Sequence, residues 1–111
     1  MAESILQDRK ECYITHDTEN LHKHHILRGG RRKAADRWGC WIWLRADWHN
    51  MAAYGVHNNP KLDEQLKQIC QMEFEKRYGH DKWMEVFGKN YLGDLEDRPI
   101  KVKVRKRRIT Q

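Results

Sequence analysis

The segment Leu21–Ile26, with the sequence LHKHHI, contains the adjacent pair His24 and His25, and His49 and His57 follow further along the chain. Five of the seven histidines lie within 36 residues. Imidazole is the commonest metal-ligating side chain and the one that titrates nearest neutral pH. The segment therefore predicts a site that holds a divalent ion and also supplies a general base.

Length and composition limit the class of protein. A chain of 111 residues is long enough for one domain and too short for two. No apolar run reaches 18 residues and the first residues are polar, so we expect a soluble, cytoplasmic protein without a membrane partner. Its three cysteines, Cys12, Cys40 and Cys70, are odd in number and widely spaced, which favours a reducing compartment over a disulfide framework.

Positive charge is concentrated in two blocks. Residues 21–45 have a net charge of +6, residues 98–108 have +7, and the rest of the chain sums to −7. Clustered lysine and arginine on an acidic background is typical of a surface that binds a polyanion such as DNA. The alternative is that both blocks are simply solvated.

Local patterns predict short strands followed by helices. Residues Glu11–His16, Leu21–Ile26 and Cys40–Leu44 read as strands, and residues 31–37 as one helical turn that ends at Gly39. Further elements are a short helix with Asp47 as N-cap, a longer helix from Pro60 to Gly79, a helix over Asp81–Phe87, and a strand-like alternation from Ile100. The predicted fold class is a small α+β domain, in which a core over 11–58 precedes a helical extension over 60–92 and a basic tail over 98–111.

His24 and His25 are expected to have different roles. Adjacent residues of a strand point to opposite faces, so one imidazole can bind an ion while the other faces water or substrate. His22 shares the face of His24, which allows it to contact the ion or DNA. His49, on a helix packed against the strand, can complete the set of ligands.

These features resemble the HNH nuclease family, whose ββα-metal motif places a histidine pair on a strand and further ligands on a helix. The resemblance covers residues 11–58. It implies a general base at His25 and one divalent ion, zinc, magnesium, manganese or nickel, held by His24, His49 and His57. The Gly-Val-His sequence ending at His57 is similar to phage-encoded members, including recombination-enhancement nucleases that act with a recombinase. The resemblance thus implies DNA as substrate, a recombinase filament as possible partner, and a bacterial host cell.

The chain departs from the family at two places. Many members have a zinc knuckle of four thiols, of which only Cys12 is present here. The asparagine that orients the base in the family corresponds to Cys40, and a thiol is a poor partner for imidazole. Either a backbone carbonyl holds the base instead, or activity is weak or lost.

Basic residues beside the histidines are candidates for phosphate contact. Four of them surround the Gly29-Gly30 pair, and three end the basic tail. The candidate DNA-binding residues are Arg28, Arg31, Arg32, Lys33, Lys106, Arg107 and Arg108. The aromatic residues Trp41, Trp43 and Trp48 are expected in the core, not as a base-stacking platform.

Three functions are compatible with these observations. The first is a metal-dependent DNA endonuclease that hydrolyses phosphodiester bonds in recombination or DNA processing. The second is a nuclease-derived DNA-binding module that has lost catalysis and keeps a structural metal, a possibility favoured by Cys40. The third is an interaction protein that binds metal without nucleic acid, against which the two basic blocks argue.

Overall fold

The sheet of this fold is a pair of antiparallel strands. The computed structural model describes residues 2–93 as a small α+β domain. Strand β1, Leu21–His25, pairs with strand β2, Trp41–Arg45, in a register that places His24 opposite Ile42. Both strands lie within one residue of their predicted positions. In β2 the side chains of Trp41, Ile42 and Trp43 favour the extended backbone.

A helical connection joins the two strands. A 3₁₀ turn over Gly29–Arg31 leads into helix α1, Arg32–Trp38, which lies one residue beyond the predicted helical segment 31–37. Gly39 ends α1 with a φ of 77°, a left-handed conformation that glycine adopts without strain. A side chain at this position would also collide with the carbonyl oxygen of Glu3. Glycine is therefore needed where the chain turns from α1 into β2.

Two short turns follow β2. Asp47–Met51 forms a π-helical turn, and Val56–Asn58 forms a 3₁₀ turn. Between them lies Gly55, where an added Cβ would come within 2.7 Å of the Asp47 carbonyl oxygen. The close approach of backbone at Gly55 thus brings the two turns together.

Asp47 was predicted as the N-cap of the first turn, and this prediction is wrong. The N-cap position is occupied by Ala46, with no side-chain hydrogen bond. The Asp47 carboxylate instead accepts hydrogen bonds from Arg45, at 2.7 and 2.8 Å, and from the hydroxyl of Tyr54 at 2.6 Å. Charge-assisted bonds from a guanidinium are stronger than a bond from one backbone N–H, which explains the preference.

Two helices complete the described fold. Helix α2 spans Pro60–Tyr78, and the side chain of its N-cap, Asn59, accepts a hydrogen bond of 3.1 Å from the backbone of Leu62. Gly79 separates α2 from helix α3, His80–Phe87, as the sequence pattern predicted.

The core lies between the strand pair and these helices. Phe74 of α2 packs edge to face against Trp83 and Phe87 of α3, with ring centroids 5.3 and 5.8 Å apart. Burial of such large apolar side chains is the main stabilising term of a domain of this size. Other buried members are Ile26, Leu27, Ala35, Ile42, Leu44, Val56, Leu66 and Cys70.

The predicted strand over Glu11–His16 is not formed. The backbone N–H of His16 donates to the carbonyl of Cys12, which closes a turn, and His16 has a φ of 68°. Tyr13 donates one backbone hydrogen bond of 2.8 Å to Trp43. Because the backbone turns back on itself at Cys12, the segment cannot continue along the edge of β2.

Two expectations concern other parts of the chain. The strand-like pattern from Ile100 and the basic tail over 98–111 lie outside the described residues. Within residues 2–93, no helix combines the length and the apolar character needed to cross a lipid bilayer.

Candidate metal centre

One face of β1 is directed at the two turns that follow β2. His22 and His24 share this face because side chains alternate along a strand. The ring of His49, from the π-helical turn, lies 5.1 Å from the ring of His22 and 5.2 Å from that of His24, measured between centroids. The ring of His57, from the 3₁₀ turn, lies 5.4 Å from His24 and 4.6 Å from His49. Three separate elements thus bring four imidazoles together.

Three of these imidazoles form a group that can hold one metal ion. His24, His49 and His57 each offer a ring nitrogen, and these nitrogens all lie within 4.8 Å of one another. The Nε2 atoms of His49 and His57 are 3.0 Å apart. The proximity of the three histidines predicted as ligands is therefore confirmed, and zinc and other transition ions favour this kind of nitrogen donor set.

His24 has the environment of a ligand and not of an ordinary core residue. Its side chain is 1% exposed, and neither ring nitrogen has a hydrogen-bond partner among the described residues. A buried polar atom without a partner is costly, so its presence calls for a ligand or another explanation. Burial, followed by the charges of His49 and His57, lowers the pKa of His24 to about 3. The ring is consequently neutral at physiological pH, as metal ligation requires.

The other two members of the group are shifted in the same direction. Burial is the largest cause, and the neighbouring charge of His57 adds to it, so that the pKa of His49 falls to about 4. Burial and the Arg28 guanidinium lower the pKa of His57. Because protonation would place several positive charges side by side, the group favours neutral rings with free lone pairs.

The opposite face of β1 is directed at α1. Here Lys23 and His25 both contact Asp36, whose Oδ1 atom lies 2.7 Å from the lysine Nζ and 3.2 Å from Nε2 of His25. The hydrogen bond from Lys23, with a smaller contribution from His25, lowers the pKa of Asp36. The carboxylate is therefore ionised and available to orient His25.

Both faces meet at one cleft of about 280 Å³. The general base predicted from the sequence and the three predicted ligands all line it, together with exposed cations. The lining residues are Lys23, His24, His25, Arg28, Gly29, Arg32, His49 and His57.

Arg28 contacts the histidine group directly. Its Nη1 atom lies 2.7 Å from Nδ1 of His57, and its Nη2 atom forms an ion pair of 3.2 Å with Asp63. A guanidinium can only donate, so Nδ1 of His57 accepts in this arrangement and the proton of a neutral ring lies on Nε2. Arg28 thus opposes the tautomer that would offer Nε2 of His57 to an ion.

The remaining predicted phosphate contacts differ in position. Arg32 lines the cleft, whereas Lys33 lines an adjoining cleft of about 690 Å³ together with Arg37. Arg31 lines neither of these two clefts, because its Nε donates a hydrogen bond of 2.7 Å to the carbonyl of Phe87. Lys106, Arg107 and Arg108 lie outside the described residues.

Cys40, which corresponds to the family's asparagine, is fully buried. A hydrogen bond between the thiols of Cys40 and Cys70, together with burial, raises the pKa of Cys70 well above its usual value. The thiol of Cys40, the residue that precedes β2, therefore packs against Cys70 of α2. The partner of His25 is a carboxylate from α1, not the backbone carbonyl considered from the sequence.

Sequence reasoning did not assign Asp36 and Asp63 to the site. Asp36 is the single acid among seven basic residues in 21–45, and this isolation in the sequence is the one local signal for its ion pair. Asp63 follows a helix N-cap and carries no such signal, because its contact with Arg28 depends on how α2 packs.

Comparison with known proteins gives no relative for this chain. It matches no model of a protein family, no curated protein and no solved structure. The class of site is accordingly defined by its own chemistry, which is a three-histidine donor set beside a histidine–carboxylate pair in a cationic cleft.

Proposed function

We propose that this chain is a metal-dependent DNA endonuclease, with His25 as general base and one divalent ion held by His24, His49 and His57. The observation that carries the proposal is the shared cleft. A three-histidine donor set, whose buried member His24 has two ring nitrogens without a partner among the described residues, lines the same opening as Arg28 and Arg32. His25, oriented by a carboxylate, lines this opening too. Hydrolysis of a phosphodiester requires a cation, a base and phosphate-binding groups in this proximity.

His25 has a partner that suits a general base. When the Nε2–H of a neutral His25 ring donates a hydrogen bond to Asp36, Nδ1 keeps its lone pair. The Nδ1 atom can then accept a proton from water. The Asp36 carboxylate then stabilises the imidazolium that forms. Asp36 is itself held by Lys23, whose Nζ also lies 4.4 Å from the centre of the Trp41 ring.

Charge in the cleft suits a phosphate substrate. When bound, the ion would supply positive charge that stabilises the reacting phosphate and the departing oxygen. Arg28 and Arg32, both exposed and both lining the cleft, are placed to contact phosphate oxygens beside His25. DNA is the substrate class proposed, because the positive charge continues into the adjoining cleft with Lys33 and Arg37.

The order of elements supports the same family resemblance. Strand β1 bears the histidine pair, strand β2 follows through a basic connection, and a short helical turn presents His49. We propose that this arrangement is a reduced ββα-metal motif, in which the helix is one π turn. Packing of Trp48 on Tyr54, with ring centroids 4.6 Å apart, would replace the missing zinc knuckle at that turn.

A second candidate function is a DNA-binding module with a structural metal and no catalysis. The observation that favours it is the fate of Cys40, which is buried against Cys70 and gives His25 no partner in the family's manner. The two candidates share the ion and the DNA contacts. They differ in whether phosphodiester bonds are cut.

The experiment is a cleavage assay with a matched pair of histidine variants. Supercoiled plasmid and recombinase-coated single-stranded circles are incubated with the full chain and Mg²⁺, Mn²⁺, Ni²⁺ or Zn²⁺. The parent is compared with His25→Ala and with His16→Ala, because His16 is exposed and lies outside the cleft. The expected result is metal-dependent cutting by the parent and by His16→Ala, and cutting by His25→Ala that is slower by roughly 10²–10⁴-fold.

Other outcomes discriminate between the candidates. If the parent binds an ion and DNA but cuts neither substrate, the chain is the DNA-binding module with a structural metal. A parent that binds no ion contradicts both candidates.

A further inference from the structure

His22 belongs to the cluster but is not a member of the three-histidine group. Its Nδ1 atom lies 2.9 Å from Nδ1 of His49, and the two rings meet edge to face at 88°. The other nitrogen of His49, Nε2, lies 3.0 Å from Nε2 of His57. His49 therefore has His22 on one side and the candidate metal centre on the other.

This arrangement decides which nitrogen of His49 can ligate. A neutral imidazole has one N–H and one lone pair, so only one of its nitrogens can bind an ion. If the proton of His49 lies on Nδ1, this N–H can donate a hydrogen bond to Nδ1 of His22, and the Nε2 lone pair of His49 faces His57. If the proton lies on Nε2, the lone pair faces His22 and the centre loses a donor.

We propose that His22 is a positioning residue whose Nδ1 accepts a hydrogen bond from the Nδ1–H of His49. This hydrogen bond directs the Nε2 lone pair of His49 toward the centre formed with His24 and His57. The inference rests on the proposed metal site and adds a group outside the ligand set. Ligating histidines generally donate their second N–H to an outer partner, which fixes the tautomer and the ring orientation. In this chain the partner is a second histidine on the same strand face as the ligand His24.

Packing favours this role for His22. A strand residue two positions from His24 lies on the same face, and the register of β1 with β2 fixes the spacing of both residues from the turn that carries His49. His22 is half-buried, so its surroundings exclude part of the solvent that would compete with the hydrogen bond to His49.

The test measures ion binding with Co²⁺ alone, in the absence of DNA. The full chain is depleted of metal, and Co²⁺ affinity is measured by calorimetry at pH 7 for the parent, His22→Leu, His22→Asn and His16→Leu. Leucine removes the acceptor, whereas the asparagine oxygen can occupy the position of Nδ1. We expect His22→Leu to bind Co²⁺ about 10–100-fold more weakly, and the other two variants to bind like the parent.

A second readout does not depend on the variants or on metal. The ¹⁵N shifts of the His49 ring in the metal-depleted parent report its tautomer, and we expect the proton on Nδ1. A parent that binds Co²⁺ and carries the His49 proton on Nε2, or a His22→Leu variant that binds Co²⁺ like the parent, overturns the positioning role alone. A parent that binds no Co²⁺ overturns the metal site and this inference together.

Discussion

His24 and His25 are neighbours in the sequence and have different surroundings in the fold. The His24 face of β1 packs on two short turns, which leave His24 only 1% exposed. Both ring nitrogens of His24 lack hydrogen-bond partners among residues 2–93. The His25 face packs on α1, which supplies a carboxylate at 3.2 Å from Nε2. Two imidazoles of identical chemistry thus become a candidate ligand and a candidate base, because their chemistry is set by the element packed against each face.

The largest expected effect is the loss of cleavage activity when His25, on the α1-facing side of β1, is replaced. His25→Ala should lower the rate of plasmid cleavage by roughly 10²–10⁴-fold, the usual cost of removing a general base. Ion affinity, measured by calorimetry, should stay at the parent's value because His25 is outside the ligand group. If His25→Ala loses the ion, the two faces are not independent and the proposed division of roles is wrong.

Replacing His24, on the opposite face of β1, should instead affect ion binding. His24→Ala should weaken ion binding by more than the roughly 10–100-fold that loss of an outer partner costs, since it removes a donor itself. His16→Ala serves as the control, and a titration of the metal-depleted protein measures both. Ion affinity unchanged in His24→Ala would exclude this residue from the centre.

Asp36 tests whether α1 contributes more than packing. Asp36→Asn should slow cleavage by roughly 10–100-fold, by analogy with the carboxylates that orient metal-bound histidines. The ion affinity should not change, because Asp36 contacts the His25 face. The measurement is kcat and KM on the same DNA, and a change confined to KM would assign Asp36 to substrate binding.

The pH dependence of stability tests the buried face. The pKa of His24 is about 3 in the folded chain, against an ordinary value of 6.5. Between these values the unfolded chain binds the proton and the folded chain does not, so the free energy of unfolding of metal-depleted protein falls as pH drops below 6.5. The expected slope from this group is about 1.4 kcal/mol per pH unit.

Urea unfolding at pH 7, 6 and 5 measures that slope. His24→Phe should flatten it, and His16→Phe, at an exposed position, is the matched control. Equal slopes in the parent and in His24→Phe would mean that His24 is not a buried neutral ring.

The smallest expected effect concerns Arg28. Arg28→Met should tighten ion binding by less than about tenfold, since exposed charges a few ångströms apart interact by about 1 kcal/mol in water. Ion binding should tighten because the hydrogen bond from Arg28 to Nδ1 of His57 is lost. That bond favours the tautomer with the proton on Nε2, which cannot bind an ion through Nε2. Arg31→Met is the matched control, because Arg31 is directed at Phe87. Calorimetry that finds weaker binding in Arg28→Met would identify Arg28 as a supporting group.

Much of the fold was predictable because its signals are local. Aromatic residues over 41–45, Gly39 and Gly79 at helix ends, and Pro60 at a helix start each determine backbone conformation within a few residues. The strand over Glu11–His16 was predicted on the same grounds and is wrong. Its outcome depends on contacts with Trp43 and Asp17, which no local pattern contains.

For the site, the sequence alone specified the chemical inventory: four clustered histidines, a strand that separates His24 from His25, and a block of cations around Gly29-Gly30. Strand alternation is a property of the backbone, so this separation needed no tertiary information. Only the tertiary structure selected the partners, placing Asp36 on His25, His22 on His49 and Arg28 on His57. These contacts join residues 11 to 29 positions apart on different elements, and hydrogen bonds form only at distances near 3 Å, which the packing of those elements decides.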